Sequence, residues 1–355
     1  MLGLDPKAAR WTWTVALVLL CLFALFRIRE PIFVFVIAIL LAYMLAPLVG
    51  VINRLLPTNS RIPALGLTYI LLVGIFIVVA IELGSRIVDE ATSLVARAPQ
   101  FVQNLQNAGP NLPLPESLRA LEGDVFAHVQ SFVRDHAGDI MGYVSAAGMK
   151  LLTFSSYLLF VVIVPILSFF MLKDGAKIRN ALLQAIPGGP PRQLWSNIIS
   201  DTDVLLGRYV RAVGLLCLTT FVVFAVVFAM LGVPYGVLLA AVSMALEFIP
   251  MVGPLVAAVT IVAVTQATGY GHLLVILLFL GVYRLFQDYV VSPRLMSAGV
   301  EVPPLLVIFG VLAGEKLGGI PGMFLSVPLI AFFRILYVRV LAAAELESNE
   351  AEMIE

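Results

Sequence analysis

The chain has 355 residues, of which 61% are hydrophobic and 12% are charged, and its mean hydropathy is +1.03. Globular domains are about half apolar and about a quarter charged, so this composition excludes an ordinary soluble fold. The 22 basic and 22 acidic residues cancel, which gives no support to a nucleic-acid partner.

Apolar runs of about 20 residues with few charges are typical of membrane-spanning helices. In chain order, such runs lie at residues 11–26, 32–52, 62–84, 151–172, 212–231, 272–291 and 320–340. Three further apolar pieces, 237–249, 255–268 and 304–314, are too short to cross comfortably. We therefore predict an all-α polytopic membrane protein with about eight helical membrane segments, including re-entrant hairpins or broken helices.

Polar segments divide the chain further. The predicted units are residues 1–84 (three spans), 85–150 (an outward-facing amphipathic helical segment), 151–172 (the fourth span), 173–211 (a cytoplasmic basic helical segment), 212–340 (a core with broken helices around 247–254 and 315–322) and 341–355 (an acidic cytoplasmic tail). Lys and Arg are enriched before the first span, after the second and after the fourth, which predicts that both termini are cytoplasmic. Arg27 and Arg29 fall on the other side and are the exception.

The stretch EFIPMVGP interrupts one of the most apolar parts of the chain. Pro250 and the Gly253-Pro254 pair break a helix, and backbone groups freed inside a membrane must be shielded by protein or line a wet cavity. A carboxylate beside the break, Glu247, is costly in hydrocarbon and therefore indicates a partner or a task. A place at a hairpin tip in the interface, or a structural pair, is the alternative. We predict that these four residues bind substrate or ion.

A second polar cluster lies in YRLFQDYVVSPRLM. Arg284 and Asp288 are four residues apart, the spacing of an ion pair on one helix face, so a buried strut is one interpretation. Together with Gln287 they also place three polar groups in one turn of an apolar span, and Pro293 then ends the helix. These four residues are therefore further candidates for binding substrate or ion.

A third cluster combines regularly spaced glycines with two charges. The glycines recur every four residues, at Gly310, Gly314, Gly318 and Gly322. This spacing leaves a smooth helix face, so we assign them to helix packing or a hinge. Glu315, Lys316 and Pro321 break the pattern and predict a second re-entrant hairpin, with Glu315 and Lys316 as secondary site candidates.

Enzyme signatures are missing from the sequence. It contains neither HExxH nor GxSxG, and GVLAGEK lacks the spacing of a nucleotide-binding loop. With three His and two Cys in the chain, a zinc site is implausible, and we interpret the cysteines as packed thiols. We predict no enzymatic activity, no cofactor and no metal.

Five motifs in order resemble the autoinducer-2 exporter family of bacterial permease-like inner-membrane proteins. The motifs are FFMLKDG, GRYVRAVG, EFIPMVGPLVAAV, QDYVVSPRLM and GGIPGMFLSVPL. The resemblance spans residues 10–340 and is most specific in the last third. The family's I-P-x-x-G-P motif falls on residues 249–254. The family's polar position before S-P falls on Gln287 and Asp288. It implies a multi-pass inner-membrane transporter that forms a homo-oligomer, with a pentamer expected.

The leading hypothesis is a secondary transporter that exports a small polar solute, similar to autoinducer-2, using a proton or sodium gradient. Its coupling carboxylates would be Glu247 and Asp288, and its partners would be membrane lipid, the solute and the coupling cation. Other family members are linked to exchange of sodium or lithium for protons, and these residues do not choose between the two activities. A passive oligomeric channel and a membrane scaffold also stay open as hypotheses.

Overall fold

The computed structural model describes residues 6–56, 60–107, 158–291 and 303–354, and within these ranges it contains helices and no strand. In chain order the helices are α1 (Pro6–Arg27), α2 (Arg29–Leu55), α3 (Ile62–Asn107), α4 (Leu158–Gln184), α5 (Pro190–Leu231), α6 (Gly236–Leu246), α7 (Val252–Ala267), α8 (Leu273–Phe286, continued by a π-helical turn at Gln287–Val291) and α9 (Pro304–Ile354).

Apolar length identifies this as a membrane protein. Among the described residues, five helical stretches are long and apolar enough to cross a bilayer: Arg29–Leu55, Ile62–Arg97, Pro190–Leu231, Leu273–Val290 and Pro304–Ala343. The shorter apolar helices Trp11–Cys21, α6 and α7 accompany them. The prediction of an all-α polytopic membrane protein is confirmed.

Helix α3 is much longer than the span predicted for it. Its 46 residues continue through the predicted boundary at residue 84, because residues 85–98 contain neither Gly nor Pro and nothing ends the helix where the hydropathy falls. At 1.5 Å per residue, α3 measures about 69 Å, against about 30 Å for the hydrocarbon core of a bilayer. Part of α3 therefore lies beyond the membrane. Residues 108–150 of the predicted amphipathic segment lie outside the described ranges.

Helices α6 and α7 form an antiparallel pair, called here the first hairpin. Leu239 of α6 shares a buried cluster with Ile261 of α7. At the other end of the pair, a Cβ atom on Gly253 would overlap the carbonyl oxygen of Leu246. With 11 and 16 residues, the two helices measure about 16 and 24 Å, and each is shorter than the roughly 30 Å hydrocarbon core.

Helix α9 also folds back on itself, forming the second hairpin. It bends at Gly319, where φ is 61° and ψ is −142°, a conformation that glycine adopts readily. A Cβ atom on Gly314 would overlap the carbonyl group of Gly322, and one on Gly310 would press on the side chain of Ile330. Residues eight apart on a straight helix are about 12 Å apart, so these contacts require two arms that face each other.

The two hairpins meet on α5. The ring of Phe248, at the tip of the first hairpin, packs edge-on against Phe324 of the second, with ring centroids 5.3 Å apart. Tyr209 of α5 donates a hydrogen bond from its hydroxyl to the carbonyl oxygen of Phe324 at 3.3 Å. The break in the first hairpin is thereby fixed between α5 and α9.

The largest buried apolar cluster holds the first hairpin against its neighbours. Phe224 and Phe228 of α5 pack with Leu239 of α6, Ile261 of α7 and Ile276 of α8. Burial of such side chains in a closely packed core resists displacement of any one helix. The end of α6 is therefore held next to α5 and α8, the two helices that carry its polar partners.

Candidate functional site

Glu247 occupies the C-cap of α6, where the chain turns towards α7. Pro250 has no N–H group to continue the helix. Met251 has a φ of 64°, a left-handed conformation that is unfavourable for a side chain with a Cβ atom. The N–H group of Gly253 donates to the carbonyl oxygen of Ile249 at 3.0 Å and starts the next helix. The sequence break therefore appears as a tight reversal with the carboxylate at its entry.

Glu247 is the centre of a buried polar network, and only 9% of its surface is exposed. Its Oε1 atom accepts a hydrogen bond from Gln287 Nε2 at 2.8 Å and another from Thr220 Oγ1 at 3.1 Å. The Thr220 hydroxyl also lies 2.8 Å from the Tyr283 hydroxyl and 3.3 Å from Gln287 Nε2. Residues from α5, α6, α8 and the π-helical turn thus meet at one carboxylate.

The donor directions in this network follow from the capacity of each group. A threonine hydroxyl has one proton and two lone pairs. Because Thr220 donates its proton to Glu247, it accepts from both Tyr283 and Gln287. Both donors to Glu247 act on Oε1, and among the described residues none donates to Oε2. Oε2 is therefore the oxygen that is available to a ligand.

A cavity of about 270 Å³ lies beside this carboxylate. Its polar lining residues are Thr220, Ser243, Glu247, Tyr283, Arg284 and Gln287. Apolar side chains of α5, α7 and α8, including Phe224 and Leu280, complete the wall. Since small-molecule sites are commonly about 300 to 1,000 Å³, this cavity suits a small solute or an ion.

The charge balance of the cavity favours a cation. Arg284 Nε donates to Asp288 Oδ2 at 3.0 Å, so the positive charge of Arg284 already has a counter-ion. The carboxylate of Glu247 has hydroxyl and amide partners but no such counter-ion in direct contact among the described residues. A buried carboxylate in a medium of low dielectric attracts a proton, a metal cation or a ligand ammonium group.

The structure brings the predicted polar residues together unequally. Glu247, Arg284 and Gln287 line the cavity. Asp288 points to Arg284, and both side chains of that pair are nearly half exposed, at 45% and 48%. Asp288 is therefore joined to the cavity through Arg284, whereas Gln287 contacts Glu247 directly.

The predicted proline and glycine residues also differ in whether they line the cavity. Pro254 lines the cavity, and Pro250 lies in the reversal that precedes it. Gly253 packs on the end of α6. Pro293 lies outside the described residues.

The predicted glycine face lies in the second hairpin, apart from the cavity lining. Gly310, Gly314 and Gly322 lie between its two arms, while a Cβ atom on Gly318 would strike the ring of Phe33 in α2. The secondary candidates Glu315 and Lys316 form an ion pair 3.2 Å long with each other. Neither of these two charges lines the cavity.

Sequence reasoning missed three polar cavity residues, namely Thr220, Ser243 and Tyr283. Thr220 lies in LCLTTFVV, where a hydroxyl in an apolar span is common and usually bonds to its own helix. Ser243 does this, since it donates to the carbonyl oxygen of Leu239 at 2.8 Å. The available signal was that Tyr283 precedes Arg284 and lies four residues before Gln287, on one helix face.

The described residues contain no group of three or more His, Cys, Asp and Glu side chains that could hold a metal ion. The candidate site thus consists of one buried carboxylate with hydroxyl and amide neighbours, formed where a broken helix meets two longer ones.

Comparison with known proteins finds a family of transporters. The model of the AI-2E transporter family matches residues 14–342. The chain is 22% identical over 364 residues to "Putative transport protein YueF" of Bacillus subtilis, covering 98% of this chain and 97% of that protein. It is 26% identical over 337 residues to "Putative transport protein MT0215" of Mycobacterium tuberculosis, covering 92% and 89% of the two chains.

Proposed function

The chain belongs to the AI-2E family of membrane transporters, and we propose that it is a secondary transporter that exports a small polar solute, similar to autoinducer-2, in exchange for a proton or sodium ion. A multi-pass transporter of this family is consistent with the inner membrane of a bacterium, and we place both termini in the cytoplasm. The proposed partners are membrane lipid, the solute and the coupling cation.

The observation that carries this proposal is the asymmetric environment of the Glu247 carboxylate. Oε1 has two donors, whereas Oε2 has none among the described residues and is available beside the cavity. A proton or sodium ion at Oε2 and a solute in the same cavity compete for one site. Competition of this kind couples the exit of one species to the entry of the other.

The first hairpin supplies the second element of the proposal. Transporters use broken helices because helix ends and freed carbonyl groups solvate ions and polar groups at membrane depth. We propose that both hairpins are re-entrant and that residues 250–254 contact the solute. Asp288 is the second coupling carboxylate in this proposal, with Arg284 holding it charged until the cavity is occupied.

The second hairpin and a homo-oligomer complete the proposed assembly. Glycine faces allow helices to slide at close range, and Gly310, Gly314, Gly318 and Gly322 provide such a face in this proposal. The expected assembly is a pentamer. Mass photometry of the detergent-solubilised chain measures its stoichiometry directly.

The experiment that tests the function is flux in proteoliposomes with Glu247→Gln and Asp288→Asn. We expect Glu247→Gln to abolish gradient-driven flux and Asp288→Asn to reduce it less, because Glu247 lines the cavity and Asp288 acts through Arg284. Glu30→Gln, which removes an exposed carboxyl group from α2, is the matched control. Wild-type flux and an unchanged gradient requirement in both test variants would contradict the proposal.

The second candidate function is exchange of sodium or lithium for protons without an organic solute. The single carboxylate with hydroxyl neighbours in a small cavity favours it, since such a site suits a cation alone. The same vesicles, loaded with a pH-sensitive dye and given sodium or lithium pulses, distinguish the two. Proton movement without added solute identifies the exchanger, and solute-dependent movement identifies the exporter.

A passive channel and a membrane scaffold would each behave differently from a coupled transporter. The channel conducts in a planar bilayer without an imposed gradient of a second species. The scaffold keeps its cellular phenotype when Glu247, Arg284 and Asp288 are all neutralised.

A further inference from the structure

Helix α6, which carries Glu247 at its end, begins without a cap of its own. Tyr235 is the N-cap residue, lies in the left-handed region with a φ of 58° and makes no side-chain capping hydrogen bond. The first N–H groups of any α-helix have no partner within that helix. In an apolar environment, an unpaired N–H group is costly, so α6 needs an acceptor from elsewhere.

Glu90 of α3 provides that acceptor. Its Oε2 atom accepts a hydrogen bond from the backbone N–H group of Leu238 at 2.8 Å, across 148 positions in the sequence, in a partly buried setting. The next residue, Ala91, is buried with 5% of its surface exposed, as expected where α3 packs on the first hairpin. A carboxylate at a helix N-terminus gains both the hydrogen bond and a favourable interaction with the helix dipole.

Helix α6 connects this cap to the candidate site. Its 11 residues measure about 16 Å and have Glu90 at the first turn and Glu247 at the C-cap. The bonds that join Glu247 to Gln287 and Thr220 are 2.8 and 3.1 Å long, so a shift of α6 along its axis by about 1 Å would change their lengths and angles and weaken them.

We propose that Glu90 is a positioning residue, whose carboxylate sets the axial position of α6 and thereby holds Glu247 against Thr220 and Gln287. Helix α3 is then a brace for the first hairpin as well as a membrane span. This inference concerns how the hairpin is held, goes beyond the proposed transport activity and does not depend on which solute is moved.

The test measures how fast a buried position on α6 becomes accessible. In a Cys21→Ser background, Ser243→Cys places a reporter on α6 at a position with 2% of its surface exposed, and the native Cys217, buried in α5, reports loosening of the whole region. The purified full chain in proteoliposomes is labelled with N-ethylmaleimide, and peptide mass spectrometry separates the two positions. Labelling needs no transport, so its result stands apart from that of the flux assay.

Two variants of similar size separate hydrogen bonding from packing. Glu90→Met keeps the volume and removes the acceptor, and we expect it to raise the labelling rate at position 243 about tenfold, which corresponds to the loss of about 1.4 kcal/mol. Glu90→Gln keeps an acceptor oxygen, and we expect it to remain within about threefold of the parent. Asp89→Asn, which changes the adjacent exposed carboxylate, is the control and leaves the rate unchanged.

Three results would overturn the proposal. They are an unchanged rate in Glu90→Met, equal rates in the Met and Gln variants, and a parallel rise at Cys217 that reveals general unfolding. If Glu90→Met does not accumulate in the membrane, Glu90→Asp replaces it. That variant draws the carboxylate back by one methylene group, so position 243 must be labelled faster in it than in Glu90→Gln.

Discussion

At the scale of single residues, the site depends on a difference between the two oxygens of one carboxylate, since only one of them accepts hydrogen bonds from described residues. Glu247 Oε1 receives the donors of Gln287 and Thr220, and Tyr283 is bonded to Thr220 in turn. Such a chain of donors makes the response of the carboxylate to a ligand depend on residues that do not touch its open oxygen. Thr220 is the link that all three partners share.

Thr220→Val tests this link. The change keeps the shape and removes the hydroxyl group, so Glu247 loses a donor and the Tyr283 hydroxyl loses its partner, at a cost of about 1 to 3 kcal/mol. We expect gradient-driven flux to fall about tenfold or more, with a lower melting temperature in detergent. Thr220→Ser retains the hydroxyl and should restore most of the flux. Equal losses in both variants would assign the effect to packing.

Single-residue roles were only partly predictable from sequence. Glu247 was identifiable because an isolated carboxylate beside two prolines in an apolar run is costly and rare. Its partners were harder to identify, since Thr220 and Gln287 are 27 and 40 residues away from it and meet it only after α5 and α8 have packed. The sequence pattern paired Glu247 with Asp288, whereas the direct contact in the structure is with Gln287.

At the scale of helices, both hairpins depend on glycines that face backbone. A Cβ atom on Gly253 would overlap the carbonyl oxygen of Leu246, and the same holds for Gly314 against Gly322. A backbone carbonyl cannot rotate away as a flexible side chain can, so the helices themselves would have to separate. Each hairpin therefore tolerates no side chain at its narrowest point.

Gly253→Ala measures this constraint. We expect it to lower the stability of the folded protein by about 1 to 3 kcal/mol, because the first hairpin must open to admit the methyl group. Gly281→Ala is the matched control: Gly281 is an exposed residue inside α8 with open space around it, so alanine should leave the melting temperature unchanged or raise it. Melting curves of the two purified variants in the same detergent give the comparison. A neutral Gly253→Ala would show that the hairpin is looser than its geometry indicates.

Helix breaks were easier to predict than helix lengths. Proline and glycine residues in the sequence indicated helix breaks near 247–251 and near 319, where α6 ends and α9 bends. The end of α3 was not readable from hydropathy, because leaving the membrane and ending a helix are separate events. A polar stretch without Gly or Pro continues the helix into water.

At the scale of the whole molecule, the two hairpins form one unit through the contact between Phe248 and Phe324. Tyr209 joins the same point from α5. A movement of the second hairpin would therefore displace Phe248, the residue next to Glu247. The sequence pattern predicted both broken helices within one unit, residues 212–340, but did not predict their contact.

A double-mutant cycle on Phe248→Leu and Phe324→Leu measures this contact. Aromatic pairs contribute about 0.5 to 1.5 kcal/mol beyond their buried area, so we expect a coupling free energy in that range from thermal unfolding. Phe169→Leu combined with Phe324→Leu is the control cycle, since Phe169 packs on Tyr69 in a different cluster, and its effects should add. Additive behaviour of Phe248 and Phe324 would mean that the hairpins respond independently.

The excess length of α3 gives this membrane protein a surface outside the lipid that a reagent can bind. With 46 residues, the helix reaches about 40 Å farther than the hydrocarbon layer requires. A nanobody that binds the projecting part would contact only water-exposed protein and would not need to enter lipid. If the hydrogen bond between Leu238 and Glu90 transmits this binding to α6, the nanobody would alter the cavity from a distance. Its added mass would also help to align particles for electron microscopy.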